Sequence, residues 1–232
     1  MQIKKAMILA AGYGKRMLPL TEKTPKPLIK IGLKNLLERT IELLIKFGVK
    51  EIVLNTYHLS HEIEKFLKNK NYEVSIDLIK EEELLNTGGG IFNATKQFKD
   101  EPFFVLNPDT IWNKNYYEEL KMLENLYFRS KKPVLLLVDK KKSHDQSFKG
   151  DFNFTHHQII KREKDNNYIF TGAQIINRSI FNNVNKNIFS MNLIWDKLIQ
   201  KKELFAQESN QTFFHVNSLA VFKKLEKLKF ID

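Results

Sequence analysis

The sequence predicts an α/β fold built on a mostly parallel mixed sheet, on three observations. Short apolar runs recur at residues 6–9, 51–55, 102–107 and 133–138, each the length of one buried strand. Amphipathic helical stretches of crossover length separate them, which favours right-handed connections between parallel strands. Glycines, cations and a carboxylate stand just past the C-terminal ends of two of these strands, where such sheets bind ligands.

Residues 6–9 are the first strand. The chain then breaks into Ala10-Ala11-Gly12-Tyr13-Gly14, followed by Lys15, Arg16 and the segment Thr24-Pro25-Lys26-Pro27. Small residues let backbone N–H groups approach a ligand closely, and three cations beside them make a cradle for a polyphosphate. A dinucleotide fingerprint is excluded, because its third glycine is replaced by Met17 and Pro19, Pro25 and Pro27 forbid a helix directly behind the loop. A Walker loop is excluded too, since no Gly-Lys-Ser/Thr stands at the required spacing.

Residues 35–47 read as an amphipathic helix ended by Gly48. Residues 51–55 are the second strand, 60–68 a helix capped by Ser60, and 74–78 a third strand. His58 and His61 read as loop residues, with no acidic or cysteine partner at metal spacing. Thr87-Gly88-Gly89-Gly90 opens a helix running to about residue 97. Three glycines cost helix stability, so they fit a place where a planar base or sugar lies against the backbone. The fourth strand, 102–107, ends at Asn107-Pro108-Asp109, and Asp109 is a hard oxygen ligand of the kind Mg²⁺ prefers.

A helix over 116–129 and a strand over 133–138 follow. Residues 139–150 are polar and lysine-rich, a loop or lid. Two strands, 151–155 and 158–162, are joined by His156-His157, and 168–176 is a further strand whose central Gly172 marks a bulge or close approach. A helix over 191–201, a strand over 211–216 and a helix over 219–229 close the chain.

The run LAAGYGKRMLPLT with TPKPL behind it resembles the signature of the sugar-1-phosphate nucleotidylyltransferases. The resemblance implies a Rossmann-like three-layer sandwich of the nucleotide-diphospho-sugar transferase type, covering residues 1–232 as one domain. About 1–138 would be the nucleotide-binding half and about 139–232 the sugar-phosphate-binding half. It further implies Arg16 and Lys26 as catalytic cations, and Leu9, Ala10, Ala11, Gly12, Gly14, Lys15 and Gly88 as nucleotide contacts. Asn107, Asp151 and Gly172 would bind the sugar phosphate, and Asp109 would carry Mg²⁺. Many family members end with Trp-x-Asp-Val-Gly-Thr, whose aspartate is a second metal ligand; here Phe213-Phe214-His215-Val216-Asn217-Ser218 stands there. His215 thus takes the ligand's place as a weak nitrogen donor or a phosphate-contacting cation.

The implied partners are a nucleoside triphosphate and a sugar 1-phosphate. Short length, the TGGGIF segment, Gly150-Asp151-Phe152 and the compact ending resemble the N-acetylmuramate-1-phosphate uridylyltransferases of cell-wall recycling. Mannose-1-phosphate guanylyltransferases are the alternative within the family, and a non-catalytic binder the alternative outside it. A net charge of +11 fits anionic small substrates; the lysines are spread along the chain rather than forming an aromatic-interleaved stripe, so nucleic acid is not expected as a partner. No apolar run reaches the length of a membrane span, and there is no cysteine, which together predict a cytoplasmic protein. A monomer or small homo-oligomer is expected.

Overall fold

The computed structural model describes residues 2–228. In chain order its elements are β1 (Lys5–Leu9), β2 (Lys30–Ile31), β3 (Lys34–Asn35), α1 (Leu36–Phe47), β4 (Glu51–Thr56), α2 (Ser60–Lys68), β5 (Ser75–Lys80), α3 (Asn86–Ala94), β6 (Phe103–Leu106) and α4 (Tyr116–Ser130). There follow β7 (Val134–Asp139), β8 (Asn153–Phe154), β9 (Ile160–Lys161), β10 (Tyr168–Ile176), α5 (Asn192–Gln200), β11 (Phe205–Ser209) and α6 (Leu219–Leu225).

Seven strands form one sheet in the order β11-β7-β10-β6-β1-β4-β5. β1, β4, β5 and β6 pair in parallel, β11 is parallel to β7, and β10 runs antiparallel between β6 and β7. This is the mostly parallel mixed sheet the sequence predicts. The strands read as continuous apolar runs because helices cover both faces. On β1 the pleat divides Ala6 and Ile8, which join Leu37, Ile41 and Leu44 of α1 and Leu120 and Leu123 of α4, from Met7, which joins Ile91 of α3 and Ile194 and Trp195 of α5. A smaller core packs Val221, Phe222 and Leu225 of α6 under Met17 and Ile29 of the first loop.

Local chemistry sets the helix ends. Asn35 caps α1 by accepting from the Glu38 amide at 2.8 Å, and Gly48 ends that helix at φ +101°. After β1 the prolines permit only single turns, at Lys15–Met17, Leu20–Glu22 and Lys26–Leu28.

At three places the structure departs from the sequence reading. The last sheet strand is β11 at Phe205–Ser209, whereas residues 211–216 make only isolated bridges, Phe213 with Ser143 and His215 with Thr110. QTFFHV carries more strand-forming aromatics than FAQES, but FAQES finds a free parallel edge on β7. The small β2–β3 hairpin, which turns through Gly32 at φ +65°, is an addition. Finally, the helix that Thr87–Gly90 opens is α3, Asn86–Ala94, which ends before residue 97.

Candidate active site

A cavity of about 530 Å³ opens at the C-terminal ends of the parallel strands, between the turn after β1 and the turn after β6. Strand order reverses there, with β4 on one side of β1 and β6 on the other, which is where an α/β sheet leaves a crevice. Leu9, Ala10, Ala11, Gly12, Gly14, Lys15, Arg16 and Lys26 line it from the first loop, and Asn107 and Asp109 from the second. A Cβ on Gly12 would meet nothing within 4 Å, so the space above this residue belongs to the cavity.

The first loop is held from below by a buried polar relay. Asn55 at the end of β4 accepts from the Ala10 amide at 2.9 Å and donates to Glu81 at 2.7 Å. Glu81, just past β5, in turn accepts from the Leu85 amide at 3.2 Å. Gly90 of α3 leaves the room: a Cβ there would lie 2.7 Å from the Asn55 amide nitrogen and 3.0 Å from Glu81. Both Asn55 and Glu81 also line the cavity. A lone Asn inside a strand carries no local mark of being buried, and the acidic run 81–83 reads from sequence as a solvated loop, which Glu81, 3% exposed, contradicts.

Lys15 and Arg16 are exposed at the cavity, and no carboxylate among the described residues pairs with either. Lys26 differs. Its Nζ lies 2.5 Å from Asp109 Oδ2, with both side chains largely buried. His215 Nε2 stands 3.6 Å from the same oxygen, and its ring stacks on Phe213. Burial alone would push the Asp109 carboxyl up, but His215 and the Lys26 ammonium beside it overcome that and hold it at about 2. Burial also dominates at His215 and pulls its imidazole below the usual histidine range, helped by Lys26 and Arg16 and opposed by Asp109.

Asp109 Oδ1 is buried without a hydrogen-bond partner, and so is the carbonyl oxygen of Asn217, which lines the same cavity. Acceptors left without donors suit a cation, and hard oxygens suit Mg²⁺, so the donor set fits that ion. Among the described residues no three histidines, cysteines or carboxylates gather as a denser metal cluster.

Four candidates from sequence stand away from the cavity lining. Gly88 packs against the chain itself: a Cβ there would run into the Phe189 ring at 2.4 Å, and the amides of Gly88 and Gly89 donate to the Phe189 carbonyl at 2.9 and 3.0 Å. These glycines let the 187–189 segment pass over the N-terminus of α3 and satisfy its first amides. Gly172, at φ +93°, supports Asn107 from behind, accepting from its amide at 2.8 Å and leaving room for its Cβ. Asp151 accepts from the Phe170 amide at 2.9 Å, where β10 shifts register against β7. His215 lies beneath Asp109.

Comparison with known proteins agrees with this geometry. Residues 5–188 match the family model described as "Nucleotidyl transferase". The chain is 32% identical over 184 residues to N-acetylmuramate alpha-1-phosphate uridylyltransferase of Neisseria meningitidis, covering 78% of each protein. It is 29% identical over 215 residues to the catalytic subunit beta of mannose-1-phosphate guanylyltransferase of Drosophila melanogaster, covering 88% of this chain and 57% of that one. In fold it is similar to HddC from Yersinia pseudotuberculosis complexed with GMP-PN, with a TM-score of 0.75 and 24% identity over 97% of this chain and 99% of that one. A UDP-glucose pyrophosphorylase complexed with UDP-glucose gives a TM-score of 0.80 at 19% identity, over 97% of each chain. With the family's sequence running through both loops that build the cavity, the chain belongs to the nucleotidyl transferase family.

Proposed function

We propose that the chain joins uridine triphosphate to N-acetylmuramate 1-phosphate, giving the uridine diphosphate sugar and pyrophosphate. The observation that carries the transfer itself is the convergence of Lys15, Arg16, Lys26 and Asp109, one of whose oxygens has no hydrogen-bond partner, on one cavity. A phosphate oxygen of the sugar 1-phosphate attacks the α-phosphorus; the α–β phosphoanhydride bond breaks and pyrophosphate leaves. The attacking oxygen is already anionic, so no general base is needed, and positioning and charge neutralisation supply the rate.

The open backbone at Gly12 receives the triphosphate, with Lys15 and Arg16 neutralising the departing pyrophosphate. Lys26 lies deeper, against Asp109, and neutralises charge between the two substrates. Asp109, ionised at any working pH, would hold Mg²⁺ through its unpartnered oxygen. That ion, when bound, supplies charge stabilisation to phosphate oxygens. Asn107, held by Gly172 and by the Trp112 indole that donates to its carbonyl at 2.9 Å, faces the sugar phosphate.

The uridylyl assignment follows the Neisseria relative, which aligns over equal shares of both proteins. The longer alignment to the fly guanylyltransferase favours a second reading, guanosine triphosphate with mannose 1-phosphate. Pyrophosphate release measured with four triphosphates against a panel of sugar 1-phosphates decides. The highest kcat/KM is expected for uridine triphosphate with N-acetylmuramate 1-phosphate. A maximum at the guanosine and mannose pair replaces that specificity, and nucleotide binding without any release of pyrophosphate would leave a non-catalytic binder.

A further inference from the structure

We infer that Tyr13 is the positioning residue for Lys15: its ring face holds the lysine ammonium at the cavity without neutralising it, where the departing pyrophosphate can take it. The inference rests on the nucleotidyl-transfer reading of the cavity and adds to it how one of the exposed cations is kept in place.

A lysine is a point charge on a flexible four-carbon stem, and confining that stem when a phosphate binds costs rotamer entropy. A carboxylate partner would confine it beforehand, but would also compete with the phosphate for its charge. An aromatic face avoids that conflict, because the ring attracts the cation through its quadrupole and carries no charge of its own. Lys15 has this second arrangement. Its Nζ lies 5.2 Å from the centroid of the Tyr13 ring, and no carboxylate among the described residues pairs with it. Between the two stands Gly14 at φ +65°, in a turn packed so closely that a Cβ there would lie 2.8 Å from the Thr21 methyl and 3.2 Å from the Lys26 Cβ.

The ring is itself fixed. Tyr57, just past β4, meets it edge to face with centroids 5.5 Å apart and planes at 88°, and the His58 ring packs against it at 5.5 Å. His58 Nε2 donates to the Thr21 carbonyl at 2.8 Å, and the Thr21 hydroxyl donates to the Gly14 carbonyl at 3.0 Å. The turn after β4 therefore holds both the ring and the loop that bears Lys15. Tyr13 is 38% exposed and stands outside the cavity lining, whereas Lys15 is part of that lining. The ring thus reaches the phosphate site only through the lysine.

Inorganic pyrophosphate serves as the probe, since it carries no base, and its binding to the full chain with Mg²⁺ is read by isothermal titration calorimetry. Lys15→Ala should weaken binding about tenfold, as the loss of a hydrogen bond between charged groups does. Tyr13→Leu keeps apolar bulk but removes the ring, and should weaken binding about threefold, the worth of one exposed cation–π contact. Tyr13→Phe keeps the ring face and should bind as wild type. In the Lys15→Ala background Tyr13→Leu should change nothing further, because the ring acts through the lysine. An equal loss in both backgrounds, a loss in Tyr13→Phe as large as in Tyr13→Leu, or no loss in Tyr13→Leu overturns the inference and leaves the transfer reading standing. Unchanged binding in Lys15→Ala also overturns it, by removing Lys15 from the pyrophosphate; turnover by that variant then shows whether transfer itself survives. A chain that follows the expected series yet releases no pyrophosphate from any triphosphate loses the catalytic reading and keeps this one.

Discussion

At Asp109 the charges of the site meet, and their balance has a sign that can be measured. Its carboxyl lies at about 2 when folded against an ordinary 3.8. The stability this contributes is fully present above the ordinary carboxylate range and is lost as pH falls through about 2. Lys26→Ala removes part of it, so the variant should melt below wild type at pH 6, with the gap closing as pH falls; a gap independent of pH would separate Lys26 from Asp109 energetically. The same variant and Arg16→Ala should each lose about 10²–10³ in kcat/KM, or ~3–4 kcal/mol of transition-state stabilisation. Arg16→Ala should keep its Tm, since Arg16 is exposed and its role is toward ligand. His215→Asp places a second carboxylate beside Asp109 in a buried setting, which should lower Tm without metal and make it recover steeply with added Mg²⁺. A Tm indifferent to Mg²⁺ would put position 215 out of the ion's reach. Arg16, Lys26 and Asp109 were legible in the sequence because glycine, proline and charge stand together within short loops. Glu81 was not, because its burial depends on β4 and β5 pairing side by side and bringing Asn55 to it.

Within α3, the glycine run has a structural origin that the sequence could pose but not resolve. Three glycines opening a helix announce a close approach; whether the approaching group is a ligand or the chain itself is decided by where residues 187–189 return. They return over this turn, with the Asn187 carbonyl 2.0 Å from the position a Cβ on Gly89 would take. Gly89→Ala should therefore cost more stability than Gly88→Ala, since a backbone carbonyl cannot turn aside as the Phe189 ring can. Overpacking of ~1–3 kcal/mol outweighs the ~1 kcal/mol that alanine gains in helix propensity. Urea midpoints for both variants test the order, and equal or raised midpoints would mean that the 187–189 segment does not pack here. β11 shows the opposite difficulty. FAQES lacks the apolar run of a buried strand because one neighbour, β7, supplies its pairing, while the aromatics of 211–216 serve a bridging segment that packs Phe213 against Val138 and Ile169.

Across the whole molecule, the chain up to β7 and the chain beyond it share one sheet through the antiparallel strand β10. It pairs with β6 on one edge and β7 on the other, so neither half closes its own ladder. The cores are shared as well. Ala173 and Ile175 of β10 pack in the cluster that holds Ile8 and Leu37, and Ile194 and Trp195 of α5 pack in the one that holds Met7 and Val53. Such interleaving couples the unfolding of one half to that of the other. The chain's two tryptophans are placed to report on this, Trp112 being 2% exposed in the first half and Trp195 9% exposed in the second. Trp195→Phe leaves fluorescence that reads the first half alone, and Trp112→Phe leaves fluorescence that reads the second. Each substitution removes one indole hydrogen bond, to Gln174 and to Asn107 respectively, so the two variants will differ in absolute stability. The informative comparison is therefore inside each variant, between the fluorescence midpoint in urea and the midpoint by far-ultraviolet circular dichroism, which reads all elements together. Coincidence in both variants is the expected outcome of a sheet that melts as one unit. A tryptophan midpoint displaced from the dichroism midpoint would show that β10 can leave β6 while one half remains folded.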